Sequence, residues 1–186
     1  MPTLTLSVTF VAIKNHLDMA LHRVIRLYKS TPSALKDSSA IPLRLIVGYG
    51  FVTHGFAKLA KGPEHFFLIL KALGVPAPHI MGWATILIEI IGGFAVLAGA
   101  FVTVFSVPMA AVLLVAMFRV HLQYGFSSIK LIAVTTAGPQ FGPPGYEVAL
   151  LYLACLAALV LGGCGPFSVD GLLAKTTWVA RPGAPT

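Results

Sequence analysis

The chain has 186 residues, of which 57% are hydrophobic and only 10% charged, with a formal net charge of +7 and a mean hydropathy of +0.88. Soluble domains carry about 25% charged residues, whereas from Ile80 to Phe118 this chain holds a single charge, Glu89; no soluble fold requires such a run. The basic residues lie outside the apolar stretches, where loops and anionic headgroups favour them, and no aromatic-and-basic pattern suits a nucleic-acid strand.

In chain order, residues 1–40 are a basic extension and linker. Leu4 to Ile13 alternates partly as a strand would, without the basic start and small-residue cleavage site of a secretory signal. From Val11 to Tyr28 the period becomes helical. Leu17, Ala20, Leu21, Val24, Leu27 and Tyr28 make an apolar stripe, with Lys14, His22, Arg23, Arg26 and Lys29 outside it. Such a helix rests on a membrane surface or packs on a partner subunit. Ser30 to Ser39, with Pro32, reads as a linker.

Residues 41–175 predict an all-α integral membrane bundle of four transmembrane helices with one short interfacial helix. A span needs about 20 apolar residues. The first runs from Ile41 to Leu59, and Glu64 to Leu73 then forms an apolar helix too short to cross. The second span covers His79 to Ala98 and the third Val104 to His121, with Pro108 in its first turns, where a missing N–H costs least. Residues 122–145 form a long loop, strand-like from Ile129 to Thr136, in which Gly138-Pro139, Gly142 and Pro143-Pro144-Gly145 break any helix. A loop of this length is often functional or held by a partner. The fourth span runs from Tyr146 to Leu161, Ser168 to Thr177 is a short tail, and residues 176–186 close the chain. Lys14, Arg23, Arg26, Lys29, Lys36, Lys175 and Arg181 on one side outnumber Lys61, Lys71 and Lys130 on the other, so both termini are expected in the cytoplasm.

Ionisable side chains inside a span cost a few kcal/mol each and therefore face the bundle interior or a wet cavity. Glu89 lies about ten residues into the second span, roughly 15 Å deep. An up-down-up-down path brings His54, Lys58, Arg119, His121 and Glu147 to one end of the bundle above it. Arg44 lies at the opposite end, where it is expected to reach the headgroups. A carboxylate at mid-depth and a histidine, which titrates near neutrality, make Glu89 and His54 the candidate catalytic pair. Lys58, Arg119, His121 and Glu147 are candidate substrate-binding groups. Each also has a plainer reading, as a helix-end marker or a hydrogen bond between helices. Gly92 and Gly93 fit close helix packing. Cys155 and Cys164 could not bridge if both were helical, being about 180° and roughly 13 Å apart. No histidine spacing of a haem or di-iron bundle occurs, no Gly-rich phosphate loop and no nucleophile elbow, so no metal is expected.

Leu43-Arg44-Leu45 with Gly48, His54-Gly55, Lys58-Leu59 and Leu73-Gly74-Val75-Pro76 resemble the opening of the DoxX family. Ile88-Glu89-Ile90-Ile91-Gly92-Gly93, Leu97-Ala98-Gly99, Gly145-Tyr146-Glu147 and Gly165-Pro166-Phe167-Ser168-Val169-Asp170 resemble its later blocks, in the same order. The resemblance covers about residues 40–175. It implies a four-helix bacterial or archaeal inner-membrane protein in a family associated with thiosulfate:quinone oxidoreductase and a terminal quinol oxidase complex. Arg44, His54, Lys58, Glu89 and Glu147 occupy the family's polar positions. The basic N-terminal extension and the Pro/Gly-rich third loop depart from the pattern. The function expected is that of a small quinone-associated subunit of a larger complex, with electrons from a partner and no covalently bound cofactor. His54 and Arg119 would then hydrogen-bond the quinone carbonyls, and Glu89 and Glu147 would relay protons. Two alternatives are a non-catalytic assembly subunit, docked through residues 1–30 and the 122–145 loop, and a small carrier or proton pathway.

Overall fold

The computed structural model describes residues 13–23, 26 and 38–179, with side chains through Ala174. The chain divides into two compact units, residues 1–38 and 39–186. In the first, helix α1 covers residues 13–23, within the stretch read as amphipathic. Residues 1–12 and 27–37, which hold most of the strand-like start and of the linker, lie outside the described residues.

The second unit is built on α2 (Ala40–Ala60), α3 (Pro63–Ala72), α4 (Pro78–Ala98), α5 (Val102–Ala116), α6 (Glu147–Gly162) and α7 (Val169–Val179). Among the described residues, three helical stretches are long and apolar enough to cross a bilayer: Ala40–Ala60, Pro78–Ala98 and Val102–Tyr124, of 21, 21 and 23 residues. The chain is thus a mostly helical membrane protein. α6 is equally apolar but has 16 residues, or about 24 Å at ~1.5 Å per residue, against a hydrocarbon core of ~30 Å.

α2, α4, α5 and α6 close a ring in which each packs on its neighbours, and α3 lies against α4 and α2. The most extensive contact joins α2 to α4, and glycines make it. A Cβ on Gly48 would lie 2.7 Å from the Gly93 carbonyl oxygen, and one on Gly93 would lie 2.9 Å from that of Gly48. Two backbones touch here, as small residues permit in membranes, where no hydrophobic force drives helices together. Gly92 turns the other way, against Met109 of α5. Val47, Phe51, Val96, Val102, Met109, Leu156 and Leu159 form the apolar centre of the ring.

Several local features differ from the sequence reading. α5 begins at Val102, two residues earlier than expected, with Pro108 in its second turn. α5 does not simply end at His121: Met117–His121 is a π-helical turn and Leu122–Tyr124 a 3₁₀ turn. A π turn carries no composition signal. The strand-like stretch is strand β1 (Leu131–Thr135), and Gly138–Phe141, where Gly138-Pro139 is expected only to stop a helix, pairs with it as β2. Pro139 is tolerated because β2 is an edge strand, where a missing N–H removes no ladder bond. The tail after Ser168 is helix α7. Its Asp170 accepts hydrogen bonds from the backbone N–H of Phe101 (2.7 Å) and Val102 (3.1 Å), satisfying orphan donors at the start of α5. That bond also holds Phe101 in its left-handed conformation, φ 50°.

Candidate functional site

Lys58 and Glu89 form the centre of the site. Lys58 Nζ lies 2.7 Å from Glu89 Oε1 and 2.6 Å from Oε2. The Glu89 side chain is 7% exposed and that of Lys58 21%. Gly55, one turn before Lys58, makes the approach: a Cβ there would meet Glu89 Cβ at 3.2 Å. The ammonium also faces the Phe66 ring of α3, 5.0 Å from its centroid, a cation–π contact.

A cavity lies on each side of this pair. The first, about 340 Å³, opens between α3, α4 and α5 and is walled by Phe66, Leu70, Ile88, Val112 and Pro108, with Arg119 in its lining. Its other groups are almost all aliphatic, and Ile69, Met81 and Val115, which also line it, are exposed. The second, about 410 Å³, lies between α2, α5 and α6 and is lined by His54, His121, Tyr152, Pro144 and Gly145. Lys58 and Glu89 contribute to both cavities.

The residues expected at this end are therefore brought together only in part. His54 and His121 share one cavity and Arg119 lines the other, with the ion pair between them, so His54 and Arg119 do not line a common pocket. Residues two apart on a helix point to nearly opposite sides, so Arg119 and His121 line different cavities. His121 Nδ1 donates to the Pro144 carbonyl at 3.0 Å. Glu147 lines neither cavity; its Oε2 accepts from the Ser128 N–H at 3.0 Å and fixes the long loop to the start of α6. Tyr152, unmarked in the sequence because a tyrosine in an apolar run reads as packing, sets its hydroxyl against Gly50 and lines the histidine cavity.

Arg44 corrects the expectation that it reaches the headgroups. It is buried, and its guanidinium donates to the carbonyls of Leu97 (2.6 Å), Val96 (3.3 Å), Cys164 (3.2 Å) and Phe167 (3.3 Å). The last turn of α4 leaves carbonyls without intrahelical partners and carries partial negative charge, so a buried guanidinium finds its acceptors there. Gly99 ends α4 at φ 65°, and a Cβ on it would meet Arg44 Cζ at 2.9 Å. Arg44, Gly99 and Asp170 together lock the loop after α6 onto the α4–α5 turn. Asp170 and the residues around it belong to the last block that carried the resemblance, so its signal was present in the sequence.

Cys155 and Cys164 are free thiols. Cys164, beyond the end of α6, lies 3.6 Å from Asp170 Oδ2; burial and then the neighbouring carboxylate push its pKa above the ordinary thiol value. Among the described residues no three His, Cys, Asp or Glu side chains gather as metal ligands.

No curated protein and no solved structure matches the chain. The DoxX family model matches residues 39–122, the stretch that runs through α2, α3, α4 and the π turn and holds Arg44, the Lys58–Glu89 pair and the glycine contact. That stretch of the chain belongs to the DoxX family.

Proposed function

We propose that this protein is a small quinone-binding, redox-linked subunit of a larger complex in the bacterial plasma membrane. The observation that carries this reading is the first cavity: an aliphatic pocket flanked by exposed apolar residues, with a buried ion pair as its polar end. Its volume of about 340 Å³ is at the small end of ligand pockets, ~300–1,000 Å³. It suits a planar head with one polar edge, its tail left among lipids. A quinone there supplies a two-electron, two-proton couple, with the electrons delivered by a partner subunit. Lys58 keeps a third N–H beyond the two it gives Glu89, and donates it to a carbonyl in the pocket. Arg119, in the same lining, replaces His54 as the second donor. Glu89, at the same polar end, is the group through which protons reach the head, and the aliphatic walls exclude water from it.

In this reading α6 is a fourth span. Its 16 residues are supported by membership of the ring, and a crossing there sets both termini on one side, the cytoplasmic one given the Lys and Arg asymmetry. One observation favours the rival, a non-catalytic assembly subunit: the β1–β2 hairpin exposes Leu131, Ile132, Val134 and Phe141, a surface suited to a partner.

The test is native purification in mild detergent, followed by quinone extraction and mass spectrometry of co-purifying proteins. Stoichiometric quinone, lost in Glu89→Gln and in Ala111→Trp, which fills the pocket, supports the proposal. Defined partners with no quinone would overturn it in favour of the assembly role.

A further inference from the structure

The second cavity differs in chemistry from the first. Besides the shared ion pair, it has two imidazoles, a phenol and the backbone of the Pro144-Gly145 turn. We infer that it is an aqueous vestibule through which the Lys58–Glu89 pair exchanges protons with water on the side of the long loop, while the first cavity faces lipid. The inference stands whether or not the first cavity binds a quinone.

Unfilled hydrogen-bonding capacity argues for water. Glu89 has about four lone-pair sites and receives on two of them from Lys58, so two stay open even when Lys58 gives its third N–H to a group in the first cavity. At this depth lipid offers no partner, and each unmet group costs several kcal/mol. A void of about 410 Å³ is ample for water, which occupies about 30 Å³ per molecule in the liquid and needs 2–4 polar partners. Those partners are present in the lining: the ion pair, His54, His121 and the Pro144 carbonyl. Irregular backbone at membrane depth is tolerated where it lines water, and the π turn at Met117–His121 ends in this cavity at His121.

The groups facing the pair are His54 on α2, His121 on the π turn and Tyr152 on α6 in the vestibule, and Arg119 in the lipid-side cavity. A proton leaving vestibule water for a Glu89 oxygen is replaced from the water column, directly or through the His54 ring, and the reverse transfer returns it. The vestibule and the lipid-side cavity thus give the pair two different neighbours, one polar and one apolar.

Substituted-cysteine labelling of the full chain in sealed phosphatidylethanolamine/phosphatidylglycerol vesicles tests this. In a Cys155→Ala, Cys164→Ala background, Ala149→Cys and Val148→Cys report the vestibule and Ala111→Cys the lipid-side cavity. The probe is a charged, membrane-impermeant methanethiosulfonate. Thiols react as thiolates, and an apolar site raising the pKa by one unit suppresses reaction about tenfold. The vestibule cysteines are therefore expected to react at least about tenfold faster than Ala111→Cys. Equal labelling of the two cavities, or protection of both vestibule cysteines while Ser127→Cys on the loop reacts, would overturn the inference. A quinone-free preparation would leave this readout in place, so failure of the quinone proposal is separately visible.

Discussion

Lys58→Met and Glu89→Leu, singly and together, test whether the central ion pair is a coupled unit. Lys58→Met leaves a carboxylate whose side chain is 7% exposed without its cation. Removing one partner of a buried pair costs about 3–5 kcal/mol, because an uncompensated charge is left behind. Glu89→Leu leaves an ammonium on a side chain 21% exposed, which can turn to vestibule water and Phe66, so its loss falls to about 2–3 kcal/mol. The double variant replaces the pair by apolar groups of similar volume, an exchange that is often neutral. Strong non-additivity follows, with a coupling of at least about 3 kcal/mol, against about 0.3–0.5 kcal/mol for independent sites. The assay is the folded fraction against sodium dodecyl sulfate mole fraction in mixed micelles, followed by circular dichroism and tryptophan fluorescence. A double-variant loss equal to the sum of the single losses, within about 0.5 kcal/mol, would refute the reasoning.

The remaining predictions use the same unfolding assay except where stated. Gly93→Ala places a methyl 2.9 Å from the Gly48 carbonyl oxygen and should cost about 1–3 kcal/mol by overpacking, whereas Gly162→Ala, with nothing within 4 Å, should change stability by less than about 0.5 kcal/mol. Arg44→Met removes the donor shared by four carbonyls and should cost on the order of 3 kcal/mol. Ser106 has a buried hydroxyl with no hydrogen-bond partner; Ser106→Ala should be neutral or stabilising by about 1 kcal/mol. Because burial and Asp170 raise the Cys164 pKa, the folded state holds the thiol proton more tightly than the unfolded chain. Its contribution to stability is full below the ordinary thiol pKa and lost as pH rises through the raised one. Iodoacetamide alkylation of Cys164 near pH 8.5 should accordingly be slow and should speed up in Asp170→Asn; an unchanged rate would count against the carboxylate's influence.

Much of this protein was legible in the sequence. Long uncharged runs fix helices, because no other structure satisfies backbone polar groups in lipid, and a lone carboxylate in such a run must find a partner. Direction of travel along the spans places Lys58 at the end of the bundle above Glu89; that the two meet as a pair came from the structure. Glycines in adjacent helices advertise a close contact, although nothing in the sequence pairs Gly93 with Gly48. What only the tertiary structure decided depends on which way side chains face and how the chain is locally wound. Arg119 and His121 stand at the same end of the bundle but, two residues apart, face opposite sides of their turn and line different cavities. Arg44 turns inward because the end of α4 and the loop after α6 meet over it, a juxtaposition of residues 96–97 with 164–167 that no local pattern encodes. Asp170 caps a helix that begins 68 residues earlier, and the two cavities exist only as gaps between helices. Composition set the solvent and hence the helices; the separation of polar from apolar space around Lys58 and Glu89 arose from how those helices meet.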